Sequence, residues 1–267
     1  MFFSKFLIKN SLSSSKSFIW DSRLKKLKKI KSFKSLDLDL LIGLERQKST
    51  LLHNTLSFAD GNFTNNALLW GSRGNGKSSL IKSVFCSVNK KYNNLKLLQI
   101  NKNEIFDIEI IYEMLGNFFE YRFLIFIDDL SFEKIDSDYK IIKSTLDGSI
   151  QNQPNNILLY VTSNRRHLMP RDMIENERSS AIHTDESVEE KISLSDRFGL
   201  WIGFHNLSQD NYIEIVHKYC NEFKLTFDEN TKKESIRWSL QRGNRTGRTA
   251  WQFILNHAAN ENKKIKI

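Results

Sequence analysis

The segment from residue 71 to residue 78 constrains the fold of this chain more than any other part of the sequence. It reads Gly-Ser-Arg-Gly-Asn-Gly-Lys-Ser and matches the pattern G-x-x-x-x-G-K-[ST]. An apolar run, 67–70, precedes it, and apolar residues at helical spacing follow it from Leu80 to Phe85. A strand, a glycine-rich turn and a helix start in this order are the context in which the pattern forms a phosphate-binding loop. The sequence therefore predicts such a loop at the end of a strand.

The residue types in this loop suit a nucleoside triphosphate. Glycines let backbone N–H groups wrap phosphates at the positive end of a helix, Lys77 adds a positive charge, and Ser78 offers a hydroxyl to Mg²⁺. We therefore expect a nucleoside triphosphate as the ligand. The predicted phosphate-binding residues are consecutive, namely Gly71, Ser72, Arg73, Gly74, Asn75, Gly76, Lys77, Ser78 and Ser79.

Composition bounds the class of protein. The chain has 267 residues, of which 40% are hydrophobic, so it can bury a sizeable core. Its two cysteines, Cys86 and Cys220, lie far apart and support neither a disulfide framework nor a zinc site, which fits a reducing cytoplasm. Apolar stretches such as 123–127 are far shorter than the roughly 20 residues of a membrane helix. We expect a globular cytoplasmic protein without a membrane span.

The pattern of apolar runs predicts an α/β fold. Five short apolar runs read as strands, and segments with helical spacing separate them: 67–70, 95–100, 123–127, 157–161 and 200–204. Strands that are apolar on both faces and alternate with helices indicate a parallel sheet covered on both sides, in three layers. Three amphipathic helices then follow, at 210–223, 228–240 and 247–256. We therefore predict a basic N-terminal tail or helix at 1–36, an α/β nucleotide-binding domain at 37–205 and a small helical lid domain at 206–267.

The net charge of +9 is concentrated at the start of the chain. Residues 1–35 contain nine Lys, one Arg and one Asp, and the acidic and basic residues of the remainder balance. Two interpretations are open. The segment binds an anionic membrane surface or a nucleic-acid backbone, or it is a solvated or lightly docked N-terminal helix.

A second element of a nucleotide site follows the apolar strand 123–127. Asp128 and Asp129 come directly after this strand. The carboxyl ends of strands are where a sheet of this kind presents a carboxylate to a metal ion. The sequence therefore predicts that Asp128 holds Mg²⁺, directly or through water, together with Ser78.

With these motifs in order, residues 37–257 resemble the AAA+ ATPases. The segment 41–44 is similar to the part of those proteins that packs on adenine, which assigns Ile42 and Gly43 to the base. The strand 158–161 ends in Thr-Ser-Asn, and Asn164 matches the polar residue that the family places beside the attacking water. The resemblance implies the family's fold, ATP as ligand and a lid of helices.

Two arginines also match positions of the AAA+ pattern. The segment 195–198 is similar to the arginine-finger segment, in which Arg197 reaches a γ-phosphate bound by a neighbouring subunit, and this implies a homo-oligomer. The alternative is that Arg197 pairs with Asp196 or Glu190 within one subunit. The segment 243–248 looks like the sensor 2 pattern of the lid, and of its arginines we assign Arg248 to the nucleotide.

More narrowly, four strings look like an uncharacterised bacterial AAA+ family known only as ATP-binding: 68–80, 126–133, 162–168 and 189–201. One position departs from the commoner AAA+ pattern, because Asp129 stands where most of those ATPases carry a water-polarising Glu. Either Asp129 uses a slightly different water position, or Glu133 takes that role, or hydrolysis is slow. We favour Asp129.

The sequence also bears on alternatives. The string Asn-Lys-Asn-Glu at 101–104 resembles a guanine-reading motif, but it ends in Glu and precedes the Asp128 strand, so GTP specificity is not expected. The leading hypothesis is an ATPase that couples turnover to remodelling or regulation of a partner. The alternatives are a nucleotide-gated DNA-binding or loader module and a membrane-surface adaptor, both acting through residues 1–35. A small-molecule kinase has the least support, because no acceptor pocket is legible.

Overall fold

The computed structural model describes residues 2–33, 35–132, 137–147, 153–168 and 194–265. Its helices are α1 (Phe2–Ser14), α2 (Glu45–Ala59), α3 (Lys77–Asn89), α4 (Ile108–Gly116), α5 (Ser137–Asp147), α6 (Gln209–Glu222), α7 (Glu229–Gln241) and α8 (Gly247–Asn260). Its strands are β1 (Ser17–Asp21), β2 (Lys26–Ile30), β3 (Ala67–Gly71), β4 (Leu95–Ile100), β5 (Arg122–Ile127), β6 (Ile157–Ser163) and β7 (Leu200–Phe204). Short 3₁₀ helices lie at Leu38–Leu40 and Lys102–Asp107.

Within the described ranges, seven strands form one sheet in the order β2-β1-β4-β5-β6-β3-β7. The pairs β1–β4, β4–β5, β5–β6 and β6–β3 are parallel, and β2 runs antiparallel to β1. Every side chain of β6 is buried, as are residues 123–127 of β5. Burial on both faces is typical of a parallel sheet with helices on its two sides. The predicted α/β architecture, its five strands and its three C-terminal helices are confirmed.

The N-terminal segment differs from the predicted tail. Residues 2–14 form helix α1, but residues 17–30 form a hairpin that extends the sheet, with β1 parallel to β4. Phe18 and Trp20 of β1 are buried in the core, whereas the lysines of β2 remain exposed. The physical reason is that an edge strand needs few apolar residues, and lysines on it discourage pairing with another chain.

The 3₁₀ helix at Lys102–Asp107 anchors this hairpin. Trp20 Nε1 donates a hydrogen bond to Asp107 Oδ2 at 2.8 Å, and the Lys25 ammonium donates to the same carboxylate. The Ser22 N–H donates to Glu104 Oε1 at 3.1 Å. The bonds from Trp20 and Lys25 satisfy the carboxylate of Asp107, which is buried. The basic segment is therefore part of the folded sheet and not an appendage.

The chain divides into two compact units. The first, here the sheet unit, comprises Met1–Phe33, Leu52–Trp70 and Val88–Gly203, and the second, here the helical unit, comprises Lys34–Leu51, Gly71–Ser87 and Phe204–Ile267. The predicted boundary at 205/206 differs from this division, because the helical unit also contains the segments 34–51 and 71–87. It therefore contains the predicted phosphate-binding loop as well as α6, α7 and α8.

Each unit has its own core. That of the sheet unit contains Phe18, Trp20 and Phe123 together with the apolar faces of α1 and α4. That of the helical unit joins α6 and α8 through Tyr212 and Phe253 and includes Leu40. Among the described residues, no helix has both the length and the hydropathy that a membrane span requires.

Candidate functional site

The predicted phosphate-binding loop has the expected local structure. It begins at the end of β3, and α3 begins at Lys77. Gly71, Gly74 and Gly76 have φ angles of 134°, 84° and 93°, a region of backbone space that favours glycine. A Cβ atom on Gly71 would lie 2.0 Å from the carbonyl oxygen of Phe204, so only glycine fits there. The loop is therefore a backbone structure that its glycines make possible.

Lys77 lies inside this loop. Its side chain is buried, and its ammonium donates hydrogen bonds to the carbonyl oxygens of Gly71 at 2.5 Å and Ser72 at 2.9 Å. Asn75 ties the loop to the residue after β7, because its Nδ2 donates to the carbonyl oxygen of His205 at 3.0 Å. An ammonium carries three donors on a flexible stem, so Lys77 can turn toward a phosphate without leaving the loop.

The start of helix α8 lies directly on the loop. The backbone N–H of Arg248 donates to the carbonyl oxygen of Gly74 at 3.1 Å. Thr246 caps this helix by accepting from the N–H of Thr249 at 3.1 Å, and its Oγ1 would lie 2.9 Å from a Cβ atom on Gly74. A helix N-terminus carries partial positive charge, and here it meets a loop suited to anions. Sequence analysis did not select Thr246, although a Thr before a helical pattern is a known cap signal.

The predicted adenine segment lies against the start of α6. Ile42 is buried in the core of the helical unit beside Tyr212, whose pKa is raised by burial, so its hydroxyl stays neutral. Gly43 has a φ of 71°, and a Cβ atom on it would lie 3.4 Å from Nδ2 of Asn211. The side chain of Leu44 would lie 3.2 Å from a Cβ atom on Gly76. This segment therefore adjoins the loop, and Asn211 is a polar neighbour that sequence analysis did not identify.

The two arginines considered for sensor 2 have different surroundings. The side chain of Arg248 is exposed, although its backbone contacts the loop. Arg245 is half-buried, and its Nη2 donates to Oε1 of Gln209 at 3.2 Å. Arg248 is thus the arginine whose main chain adjoins the loop, and its role toward a nucleotide stays a prediction.

In the sheet unit, Thr162 organises the paired acids that follow β5. Its hydroxyl donates to Oδ1 of Asp128 at 2.6 Å and accepts from the backbone N–H of Asp129 at 2.9 Å. Its carbonyl oxygen accepts from the N–H of Leu130 at 2.8 Å. Thr162 therefore fixes the Asp128 carboxylate through neighbouring strands β5 and β6. Sequence analysis named the segment that contains Thr162 but selected only Asn164 from it.

The structure brings together two of the predicted catalytic residues. The side-chain amide of Asn164 donates a hydrogen bond to Oδ1 of Asp129. Asp129 is exposed and has a φ of 56°, so the backbone leaves the extended conformation of β5 at this residue. Glu133, the alternative water-orienting residue, lies outside the described residues. The choice between Asp129 and Glu133 therefore stays a prediction.

Arg197 follows a short helical stretch, residues 194–196, and is half-buried. The indole Nε1 of Trp201 donates to the carbonyl oxygen of Ser195 at 2.5 Å, which ties this stretch to β7. Of the two ion-pair partners considered for Arg197, Asp196 is exposed and Glu190 lies outside the described residues. The role of Arg197 toward a second subunit stays a prediction.

The two residues predicted to hold a magnesium ion lie in different units, Asp128 in the sheet unit and Ser78 in the helical unit. The carboxylate and the hydroxyl are each hard oxygen ligands of the kind that Mg²⁺ takes alongside phosphate oxygens. Strands β3, β6 and β5 are parallel neighbours, so their carboxyl ends lie along one edge of the sheet. Asp128 follows β5 and so lies at this edge, where ligands bind in sheets of this kind. The joint role of Asp128 and Ser78 toward a metal ion stays a prediction.

Comparison with solved structures identifies the fold. A variant of Thermotoga maritima RuvB matches with a TM-score of 0.53 at 16% identity, covering 85% of this chain and 66% of the RuvB chain. Aeropyrum pernix ORC1, solved in complex with DNA, matches with a TM-score of 0.56 at 13% identity, covering 84% of this chain and 62% of the other. A chain of the E. coli MS115-1 HORMA:CdnC:Trip13 complex matches with a TM-score of 0.54 at 11% identity, covering 82% and 90%.

These similarities confirm the predicted AAA+ P-loop fold. This chain spans just under two thirds of the length of the RuvB and ORC1 chains. A family model described as "Protein of unknown function (DUF815)" matches residues 13–261. No curated protein matches the chain in sequence.

Proposed function

This chain belongs to the DUF815 family of unknown function, and we propose from its own geometry that it binds ATP with Mg²⁺ and hydrolyses the ATP to act on a partner. The observation that carries the proposal is the phosphate-binding loop, in which three glycines adopt positive φ and the Lys77 ammonium lies inside the turn. Such a loop binds phosphate through backbone amides and one cation. The base would lie against Ile42 and Gly43, which adjoin the loop in the helical unit.

Two oxygen ligands would hold the metal ion. We assign Mg²⁺ to the Ser78 hydroxyl and the Asp128 carboxylate, and the hydrogen bond from Thr162 to Asp128 supports this because it fixes the orientation of the carboxylate. When bound, the ion neutralises charge on the phosphate oxygens during their transfer. Thr162 keeps Asp128 in place because its hydroxyl is itself buried and hydrogen-bonded on both sides.

Asp129 is the residue that we assign to the attacking water. A carboxylate that accepts a proton from water must be exposed and oriented, and Asp129 is exposed with its Oδ1 held by the Asn164 amide. The same contact supports a role for Asn164 in orienting the carboxylate. Asp is one methylene shorter than Glu, so we expect slow turnover, with Glu133 as the alternative base.

Hydrolysis would be transmitted through helix α8. The N–H of Arg248 donates to the carbonyl oxygen of Gly74, so a change in the phosphates at the loop alters the contact that positions this helix. Arg248 would contact the nucleotide once its exposed side chain turns toward the loop. Motion of such a lid is a common means of coupling turnover to a partner.

Arg197 would complete the site of a neighbouring subunit in a homo-oligomer. The guanidinium is always charged, and its planar fork matches phosphate oxygens. An arginine supplied in trans contributes about 10³- to 10⁵-fold to turnover in related chemistry. Arg197→Ala should therefore lower turnover by a comparable factor and leave binding intact.

The test is the ATPase rate per subunit as a function of protein concentration, with calorimetric ATP titration alongside. We expect the rate per subunit to rise with concentration as subunits assemble. Arg197→Ala should remove this rise, and Arg237→Ala, which removes an exposed arginine of α7, should retain it. Folded wild-type protein that gives no heat with ATP and Mg²⁺ would refute the proposal. Undiminished turnover in Arg197→Ala would refute only the role in trans.

A second candidate function is nucleotide-gated DNA binding, and the hairpin favours it. Lys26, Lys28 and Lys29 are all exposed on the edge strand β2, which concentrates three positive charges at one edge of the sheet. Lysines bind the phosphate backbone without regard to sequence. The fold similarity to ORC1, a protein solved in complex with DNA, is in keeping with this function.

Salt dependence tests the second candidate. Replacing the three lysines of β2 with Gln should weaken binding to duplex DNA and reduce the salt slope by about 0.9 for each phosphate that the variant no longer neutralises. The control replaces three exposed lysines elsewhere, Lys90, Lys218 and Lys233, which changes the net charge equally. Equal weakening in both variants would point to general charge. Binding to anionic vesicles and not to DNA would favour the membrane-surface alternative.

A further inference from the structure

Arg166 lies between two tryptophans of the sheet unit. Its guanidinium carbon is 5.3 Å from the ring centroid of Trp70 and 5.8 Å from that of Trp201. Both distances are within the range of cation–π attraction, which is strongest for Trp. A planar guanidinium can stack on aromatic faces, which an ammonium cannot do as well.

Each of the three residues is connected to a different part of the proposed site. Trp70 is the residue before Gly71, where the phosphate-binding loop begins, and Arg166 is two residues beyond Asn164. Trp201 donates through Nε1 to the carbonyl oxygen of Ser195, two residues before Arg197. The cluster of Trp70, Arg166 and Trp201 therefore joins the end of β3, the loop after β6 and the segment that carries Arg197.

The loop after β6 is in turn attached to the segment that follows the acids. Arg165 Nη1 donates to the carbonyl oxygen of Phe132 at 3.0 Å, and the N–H of Phe132 donates to the carbonyl oxygen of Leu168 at 2.9 Å. The ring of His167 also packs edge-on against Trp201, with centroids 5.6 Å apart. These contacts lie directly after Asn164 along the chain. A displacement of the Trp201 ring would therefore reach the loop that carries Asn164.

We propose that Arg166 is a positioning residue that holds the Arg197 segment in register with the strand ends carrying Asp129 and Asn164. This inference rests on the proposed ATPase function, because it concerns the same reaction. Arg166 contacts the two tryptophans and is exposed at the surface, so its contribution to folding stability is small. Its contribution to turnover comes from geometry, because a small misplacement of a transition-state group is costly.

Kinetics of Arg166→Ala and Arg166→Lys test the proposal. Arg166→Ala should lower kcat by about tenfold, because misplaced groups lose rate steeply, with KM and the calorimetric Kd for ATP unchanged. Arg166→Lys should recover part of the rate, because Lys keeps the charge without the planar stacking surface. Arg23→Ala removes another exposed arginine of the sheet unit and should leave kcat unchanged. An unchanged kcat in Arg166→Ala would overturn the proposal.

A double-mutant cycle of Arg166 and Arg197 shows whether Arg166 affects turnover through the Arg197 segment or independently of it. Because Arg166 is proposed to act through the Arg197 segment, the double variant should turn over no more slowly than Arg197→Ala alone. Independent, multiplied decreases would overturn the proposal. This cycle uses the residual turnover of Arg197→Ala at high protein concentration.

Amide hydrogen exchange tests the role of Arg166 in the absence of nucleotide. Amide hydrogen exchange of residues 194–201 should be faster in Arg166→Ala than in wild type, while the exchange of β5 is unchanged. Unaltered exchange in residues 194–201 would overturn the proposal even if the protein hydrolyses ATP. Absent ATP binding by the wild-type protein would instead refute the proposed function.

Discussion

In the phosphate-binding loop the backbone forms most of the candidate site, whereas after β5 four side chains form it. The loop of the helical unit is built from glycines with positive φ, backbone carbonyls and the first turn of α8, with Lys77 as the principal side chain. The acids of the sheet unit are held by the Thr162 hydroxyl and the Asn164 amide. Under the proposed function, ATP binding would depend mainly on main-chain geometry and turnover on a few side-chain hydrogen bonds. Substitutions should therefore separate the two properties.

Among substitutions in these two regions, the largest expected effect is at Asp129. Replacing it with Asn should lower turnover by about 10²- to 10⁴-fold, the range for removal of a general base, and leave the calorimetric Kd for ATP unchanged. Asn cannot accept a proton from water but keeps the hydrogen-bonding shape of the side chain. The control is Asp60→Asn, which alters an exposed carboxylate elsewhere in the sheet unit. Retained turnover in the Asp129 variant would move the role of base to Glu133.

Lys77→Ala should act on binding itself. Removal of charge-assisted hydrogen bonds worth about 1.5–3 kcal/mol predicts roughly tenfold to hundredfold weaker binding of ATP by calorimetry. Lys90→Ala, just beyond the end of α3, removes an exposed lysine and should bind as wild type does. If Lys77→Ala binds ATP normally, the Lys77 ammonium does not contribute to binding, and the main chain of the loop would have to carry it alone.

Thr162→Val should lower both the free energy of unfolding and the turnover rate. It removes the hydroxyl that donates to Asp128 and accepts from the N–H of Asp129, so two part-buried hydrogen bonds are lost. The free energy of unfolding should fall by about 1–3 kcal/mol, measured by urea titration, with a decrease in kcat. Thr162→Ser keeps the hydroxyl and should recover both. A Val variant with normal turnover would show that Asp128 needs no support from β6.

The smallest effect concerns acid stability and lies away from the site. Burial raises the pKa of Asp107, but hydrogen bonds from Lys25, Trp20 and Ser22 outweigh it and hold the pKa below its ordinary value of 3.8. The folded state therefore binds the proton more weakly than the unfolded chain. Ionised Asp107 therefore stabilises the folded protein fully at pH values above the ordinary pKa. This stabilisation is lost as the pH falls through the lower pKa that Asp107 has in the folded protein.

Thermal unfolding from pH 6 to pH 3 measures this effect. Asp107→Asn should unfold at a lower temperature than wild type at pH 6, and the difference should shrink as the pH falls below about 4. Binding and turnover of ATP at pH 7 should be unchanged, because the hairpin belongs to neither part of the site. If the difference in unfolding temperature stays constant with pH, ionisation of Asp107 does not contribute to the stability of the folded protein.

The fold was predictable from the sequence where local signals and burial agree. The strands 67–70 and 123–127 are apolar throughout because both faces are covered, so their runs stand out without any knowledge of pairing. The hairpin 17–30 was not predicted, because β2 is an edge strand whose Lys-rich pattern also suits a helix. Its place in the sheet depends on the partners Trp20 and Asp107, which are 87 residues apart.

The candidate site divides in the same way. Glycine spacing and one lysine specify the phosphate-binding loop, because its geometry is local and few other residues permit those φ angles. Thr162 and Arg166 could not be selected, because their importance comes from contacts with residues on other strands. A buried threonine and an exposed arginine have no distinctive pattern along the chain.

By itself, the order of residues determined the loop, the acids after β5 and the alternation of strands and helices, since these depend on neighbours in the chain. Only the tertiary structure decided that Asn164 contacts Asp129 and that the first turn of α8 donates a hydrogen bond to Gly74. It also decided that the basic segment 17–30 joins the sheet. These contacts join residues far apart in sequence. They form only when the parallel strands bring their carboxyl ends to one edge and the apolar faces of α6 and α8 are buried together.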